Sequence, residues 1–401
     1  MKTLNTPNKK IVYDIPSIIG NDNSSKAIDN KKIKIEMTYD QAKELLERPE
    51  SNRTIILPNG TKVGLTEAGD PNGTPAIMMS GMGMHSRKYA LLLNNYGLRY
   101  KVKIIGFDRP NIDGSDPIYF KESKKSSKKN SKKIKNIFRK SSKTSIATSC
   151  SKWVEGIIDV LGIKRCHLMS LCIGGLYVMG CVKYFKHPEK IASPLYLIAP
   201  WVTPKKCVLP VRFVDTFVPT SVIRAAMSCY YRTIGLMVPS AQKNPNAIMF
   251  KLVHVDEKAD PLGGRRLLFS KILKSGFFKN ETKHLCHDDW ELGFGVNPNN
   301  KLDFSTIEKD VIIYHGTKDK LIPAKSSKYL VKKWNSKYKA ELHIKKGKDH
   351  STIKGSCLHD IFNSINEHSL NNSTNELPVT IKTTNNIYQK VIINIEISLI
   401  L

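Results

Sequence analysis

The chain has 401 residues, 40% of them hydrophobic and 25% charged. That is long enough to bury one large core or two modest ones, and it excludes a fully disordered or fibrous protein. Net charge is +29, with eight cysteines and no run of apolar residues long enough to span a bilayer.

The charge is uneven. Between Lys121 and Lys143 eleven Lys or Arg stand against Glu122, about a third of the whole excess in one Lys/Ser run. The cysteines (150, 166, 172, 181, 207, 229, 286 and 357) show no framework of close pairs, and several sit in apolar runs. Free thiols in a reducing compartment fit that pattern better than secretion, and no signal-peptide stretch leads the chain, so the expected location is cytoplasmic.

Residues 1–35 are polar and rich in Asn, Lys and Ser, which predicts disorder. Met37–Leu46 has helical spacing and reads as a short leading helix; together these form a first segment, 1–51. Two alternating runs, Thr54–Leu57 and Lys62–Glu67, flank Pro58-Asn59-Gly60, a hairpin signal. A buried strand Ala76–Met79 ends in Ser80-Gly81-Met82-Gly83 and leads to a helix over Arg87–Tyr96. The next strand, Val102–Phe107, runs into Asp108-Arg109-Pro110. From here strands and helices alternate, which predicts a mostly parallel sheet flanked by helices.

The Lys/Ser run at 117–143 is too long for a structureless loop inside a compact domain and reads as a surface insertion. Ser145–Leu161 is the best amphipathic helix in the chain, stopped at Gly162. Cys166–Gly180 then reads as a buried strand to Leu171, a tight turn, and an apolar helix opening at Gly174-Gly175. The apex of the turn is Cys172, above the free N–H groups of the following helix. Taken alone, a cysteine in so apolar a run is a buried core thiol.

After strand Leu195–Ala199 the alternation breaks. Residues 202–301 hold short apolar pieces separated by Pro, Gly and Asn, a pattern that suggests an inserted helical cap. It resumes with strand Val311–His315, a turn at Gly316–Asp319, a helix from Ala324 to Tyr338, strand Ala340–Ile344, His350, and a helix Ile361–His368. The core is thus expected as 52–201 and 302–370. The tail, 371–401, ends in an alternating apolar run that reads as an extra or exposed strand.

Five segments resemble the α/β-hydrolase superfamily, with nucleophile, acid and histidine in the family's order. Ser170-Leu171-Cys172-Ile173-Gly174 resembles its Gly-x-Ser-x-Gly nucleophile elbow. Ser80-Gly81-Met82-Gly83 resembles the loop that supplies an oxyanion N–H. Asp108-Arg109-Pro110 with Gly114-Ser115-Asp116 resembles a glycine-rich segment of the family. His315–Asp319 resembles the turn of the acid, and Gly347–His350 the histidine loop. The departures are cysteine for serine at the apex, Ser170 for the first elbow glycine, Ser80 for a histidine, and Asn111 and Asp113 for glycines. Cysteine elbows occur in the superfamily, as in the dienelactone hydrolases.

The resemblance implies an α/β-hydrolase fold and a Cys172-His350-Asp319 triad hydrolysing an ester or thioester through an acyl-enzyme. Oxyanion donors would be the N–H groups of Met82 and Ile173, while Gly81, Gly83, Gly174 and Gly175 would be the glycines of the loop and elbow. No cofactor is implied. The substrate would be a small acyl ester or thioester, lipid-like if an apolar cap and a basic loop act together. Two other readings stand beside it: a catalytically silent binding or scaffold protein of the same fold, and a peripheral membrane protein acting through its basic loop.

The run His284-Leu285-Cys286-His287-Asp288-Asp289 lacks the paired spacing of zinc sites and reads as a cap-to-sheet connection, so no metal is expected. The basic run 121–143 suits an anionic membrane surface, or a solvated loop whose serines take phosphate. It lacks the interleaved aromatics of a specific nucleic-acid binder.

Overall fold

A computed structural model of the chain describes residues 8–13, 35–82, 86–110, 114–116, 145–219, isolated positions between 222 and 243, 244–277 except 253, 282–294 and 301–374. Gly83, Asn111 and Asp113, the basic run 121–143 and the tail beyond 374 lie outside the described residues.

The nine described strands form one sheet. They are β1 (Lys9–Tyr13), β2 (Arg53–Ile56), β3 (Lys62–Gly69), β4 (Thr74–Met79), β5 (Val102–Phe107), β6 (His167–Leu171), β7 (Leu195–Ile198), β8 (Val311–Gly316) and β9 (Ala340–Lys345). Their order is β1-β9-β8-β7-β6-β4-β5-β3-β2, with only the β2/β3 and β3/β5 pairs antiparallel. β6 and β7 are buried at every position, and β4 and β8 at most. Parallel strands covered on both faces need such continuous apolar runs rather than alternation.

Helices flank the sheet. α1 (Tyr39–Glu47) is capped by Thr38 and Gln41 in a reciprocal capping box. α2 (Ser86–Leu91) and α3 (Asn94–Tyr100) replace the single helix expected over Arg87–Tyr96. α4 (Ile146–Val160) begins on Ser145, whose Oγ accepts the Thr148 N–H at 3.0 Å. It packs against α5 (Gly174–Tyr184) so closely that a Cβ on Gly180 would lie 2.5 Å from Ala147 Cβ.

Between β7 and β8 the chain leaves the sheet through α6 (Leu209–Phe217), α7 (Ile248–Leu252), α8 (Gly264–Phe277) and α9 (Thr282–Phe294). We refer to this stretch as the cap. Two further helices, α10 (Lys325–Lys333) and α11 (Ile353–Thr374), follow β8 and β9. No described helix is long and apolar enough to cross a membrane.

Two expectations fail here. Residues 1–35 are not uniformly structureless, because β1 pairs in parallel with β9 in the register Lys9 to Ala340 through Tyr13 to Ile344. The last helix also starts at Ile353, just after His350, not at Ile361. Its buried face, Ile353, Cys357, Ile361 and Phe362, has helical spacing, but Gly355 and Ser356 obscure the early turns.

Candidate active site

The groups of interest gather at the carboxyl ends of β4, β6, β8 and β9, where loops leave a parallel sheet. Cys172 follows β6 with φ +56°, in the left-handed region that non-glycine residues rarely enter. Three backbone hydrogen bonds hold it there. Its N–H donates to the Ile198 carbonyl at 3.0 Å, and its carbonyl accepts from Trp201 at 3.0 Å and Gly175 at 3.1 Å. Strain at one residue persists only where its surroundings over-determine it, as these bonds do.

The turn leaves no room at Gly174. A Cβ there would stand 2.2 Å from the Met79 carbonyl oxygen and 2.8 Å from that of Ser80. The elbow therefore presses directly on the end of β4 and on the loop after it. Gly175 is less constrained, its added Cβ meeting Pro200 Cβ at 3.2 Å.

His350 stands in the loop after β9. Asp349 fixes this loop at the start of α11, its Oδ1 accepting the N–H groups of Ser351 at 2.9 Å and Thr352 at 2.8 Å. The imidazole Nδ1 is 2.7 Å from Asp319 Oδ2, and the Cys172 sulfur is close enough to act on the ring. Burial opposes a charge on His350, but Asp319 and Cys172 prevail and hold its pKa up at about 10.

Asp319 is fully satisfied. Oδ1 accepts the N–H groups of Leu321 at 2.9 Å and Ile322 at 2.8 Å, while Oδ2 faces His350 and, at 3.4 Å, His315 Nε2. That nitrogen also lies 2.6 Å from the Ile322 carbonyl, which can only accept, so Nε2 is assigned the hydrogen. Burial raises the carboxyl's pKa, yet the bonds from His315 and His350 outweigh it and hold the group well below the usual carboxylate range.

The loop after β4 is held from its carbonyl side. The buried Arg109 guanidinium donates to the Ser80 and Gly81 carbonyls at 2.9 and 3.1 Å and to Asp289 Oδ2 of α9 at 2.8 Å. Asp289 Oδ1 accepts the Tyr177 hydroxyl at 2.7 Å, and the guanidinium carbon lies 4.8 Å from the centre of the Tyr177 ring. Ser80 is itself buried, its Oγ 2.8 Å from Ser86 Oγ. Among the described residues neither the Met82 nor the Ile173 N–H donates a hydrogen bond.

The cap touches the elbow. The Trp201 indole donates to the Gly293 carbonyl of α9 at 2.8 Å, and a Cβ on Gly293 would lie 2.6 Å from Ile173 Cδ1. Cys172 is left 8% exposed.

The structure thus brings together Cys172, Asp319, His350, Met82, Ile173, Gly81, Gly174 and Gly175. Arg109, Asp289, Tyr177 and His315 are additions to the expected set. Residues 284–289 belong to helix α9, and Asp289 is its buried anchor to Arg109 after β5. Among the described residues no group of three His, Cys, Asp or Glu is placed to hold a metal ion.

No family model matches the chain, and no curated protein does. Solved structures do. An α/β-hydrolase fold protein from Nakamurella multipartita is 15% identical over 80% of this chain and 98% of its own, at TM-score 0.50. An esterase from Rhodococcus sp. is 14% identical over 80% and 98%, at TM-score 0.46. A 2-hydroxy-6-oxo-6-phenylhexa-2,4-dienoate hydrolase from Rhodococcus is 14% identical over 78% and 99%, at TM-score 0.48. Identities this low speak to architecture and not to reaction. With its strand order and the elbow after β6, the chain has the α/β-hydrolase fold.

Proposed function

We propose that the protein is a hydrolase of carboxylic ester or thioester bonds, with Cys172 as nucleophile, His350 as acid and base, and Asp319 as the group that orients and charges His350. The observation that carries this reading is the position of His350 after β9, its Nδ1 2.7 Å from Asp319 Oδ2, beside Cys172 at the left-handed apex after β6. An imidazole held in this way has a fixed orientation, Nδ1–H toward the carboxylate, which leaves its other nitrogen for proton transfer.

In the reaction the sulfur attacks the substrate carbonyl and the C=O electron pair moves onto oxygen. The N–H groups of Met82 and Ile173 would stabilise that oxyanion. Collapse expels the alcohol or thiol, which takes its proton from His350. Water then gives a proton to His350 and attacks the thioester, and the carboxylic acid leaves as Cys172 is regenerated.

Two measurements test the reading. Iodoacetamide at pH 6 is expected to label Cys172 at least tenfold faster than any other cysteine, and to lose that preference in His350→Ala. A panel of short and long acyl esters and thioesters is expected to show turnover that vanishes in Cys172→Ala. Labelling no faster than the remaining cysteines, or turnover equal in the Ala variant, rules it out.

A further inference from the structure

A cavity of about 490 Å³ lies beside the site, and none of Cys172, Asp319 or His350 lines it. Its walls come from residues 35–37, from α2 and α3, from the cap and from the start of α11. A volume of this size at a junction of separate elements is typical of small-molecule sites. Leu92, Val255, Phe269 and Leu358 supply apolar surface.

The polar groups are unusual for a cavity of this kind. Lys348, Lys354 and Arg265 face it, with Glu36 the one carboxylate in the wall, while Asp349 acts on Lys354 and Asp260 on Arg265 from outside it. Among the described residues neither Lys354 nor Arg265 makes an ion pair. Lys354 Nζ lies 5.7 Å from the centre of the buried Tyr89 ring, a partial compensation only. Burial, with Arg265 nearby, pushes the Lys354 ammonium down to about 8.

Holding two cations together over apolar surface is unfavourable without an anion between them. A carboxylate or phosphate oxygen pair matches the guanidinium fork and accepts from the ammonium as well. We propose that this cavity binds an amphiphilic organic anion, its charged head between Arg265 and Lys354 and its apolar body among Leu92, Val255, Phe269 and Leu358. Lys348, Ser351 and Thr352 also line it, so the occupant would touch the loop that carries His350.

The test is calorimetric titration of the full chain carrying Cys172→Ala, which keeps the probes from being turned over. The outcome then stands whether or not Cys172 is a nucleophile. Octanoate and octyl phosphate are the probes, with octanol as the tail alone and inorganic phosphate as the head alone. At least one amphiphilic anion is expected to bind tenfold or more tighter than either control, and Arg265→Gln and Lys354→Met each to weaken it tenfold or more. A thermal melt identifies a variant that fails to fold, and the other variant then decides. Equal binding of octanol and octanoate, binding unchanged in the folded variants, or no saturable heat with either anion overturns the proposal.

Discussion

Asp319→Asn tests the electrostatic logic of the site most directly. The amide can keep the acceptor that receives the Leu321 and Ile322 N–H groups, but its second arm then points an NH₂ at His350 and His315. The His350 side chain is 22% exposed and that of Asp319 is fully buried, so solvent screens the pair little. A rise from 6.5 to about 10 corresponds to about 5 kcal/mol of preference for the imidazolium, shared between Asp319 and Cys172. Taking half as the Asp319 share, the variant should titrate roughly two pH units lower, which NMR of the imidazole signals reads directly.

Stability carries the same signature. Because the His350 pKa is raised on folding, its contribution is fully present below pH 6.5 and fades as pH rises through about 10. Asp319 is depressed, so its contribution is present above its ordinary 3.8 and is lost only in stronger acid. Urea unfolding should therefore show the variant weaker at pH 6, with the difference smaller by about 2 kcal/mol near pH 11, where the His350 part is lost. An unchanged His350 midpoint, or a gap that widens with pH, would refute the reasoning.

Further substitutions probe the frame. Gly174→Ala forces a methyl to within 2.2 Å of the Met79 carbonyl; overpacking of about 1–3 kcal/mol should lower the melting temperature by roughly 1–4 °C in a fluorescence melt. Arg109→Met removes the guanidinium from the buried Asp289 carboxylate, with an expected loss of about 3–5 kcal/mol in urea unfolding, largely recovered in the double variant with Asp289→Leu. Ser145→Ala removes the acceptor at the start of α4 and should reduce stability by about 1 kcal/mol without altering Cys172 labelling.

Most of the frame is legible in the sequence where the physics is local. The parallel strands announce themselves as apolar runs because both faces are covered. The Asn59-Gly60 turn is read from glycine's tolerance of positive φ, and Gly60 sits at +82°. The elbow is legible because Gly174 and Gly175 follow directly on an apolar strand. What stays hidden depends on a partner far away in the chain. Asp289 lies 180 residues from Arg109, and in sequence it is one acid of a His/Cys/Asp cluster. His315 reads as the end of a strand, and only the turn back through Ile322 sets it against Asp319. β1 is five residues, two of them lysines, and nothing local marks it as a strand without β9 beside it.

That placement of β1 bears on the order of assembly. It is synthesised before the other described strands, yet its partner β9 is the last of them to emerge, and Asn8 meets Ser336 across 328 residues of chain. Closing so long a loop before the intervening sheet exists carries an entropy penalty of about 5 kcal/mol. Of the described strands, β1 is thus made first and pairs only after β9 is made. Lys9 and Lys10 make it a charged border while it waits, disfavouring edge-to-edge pairing with other chains.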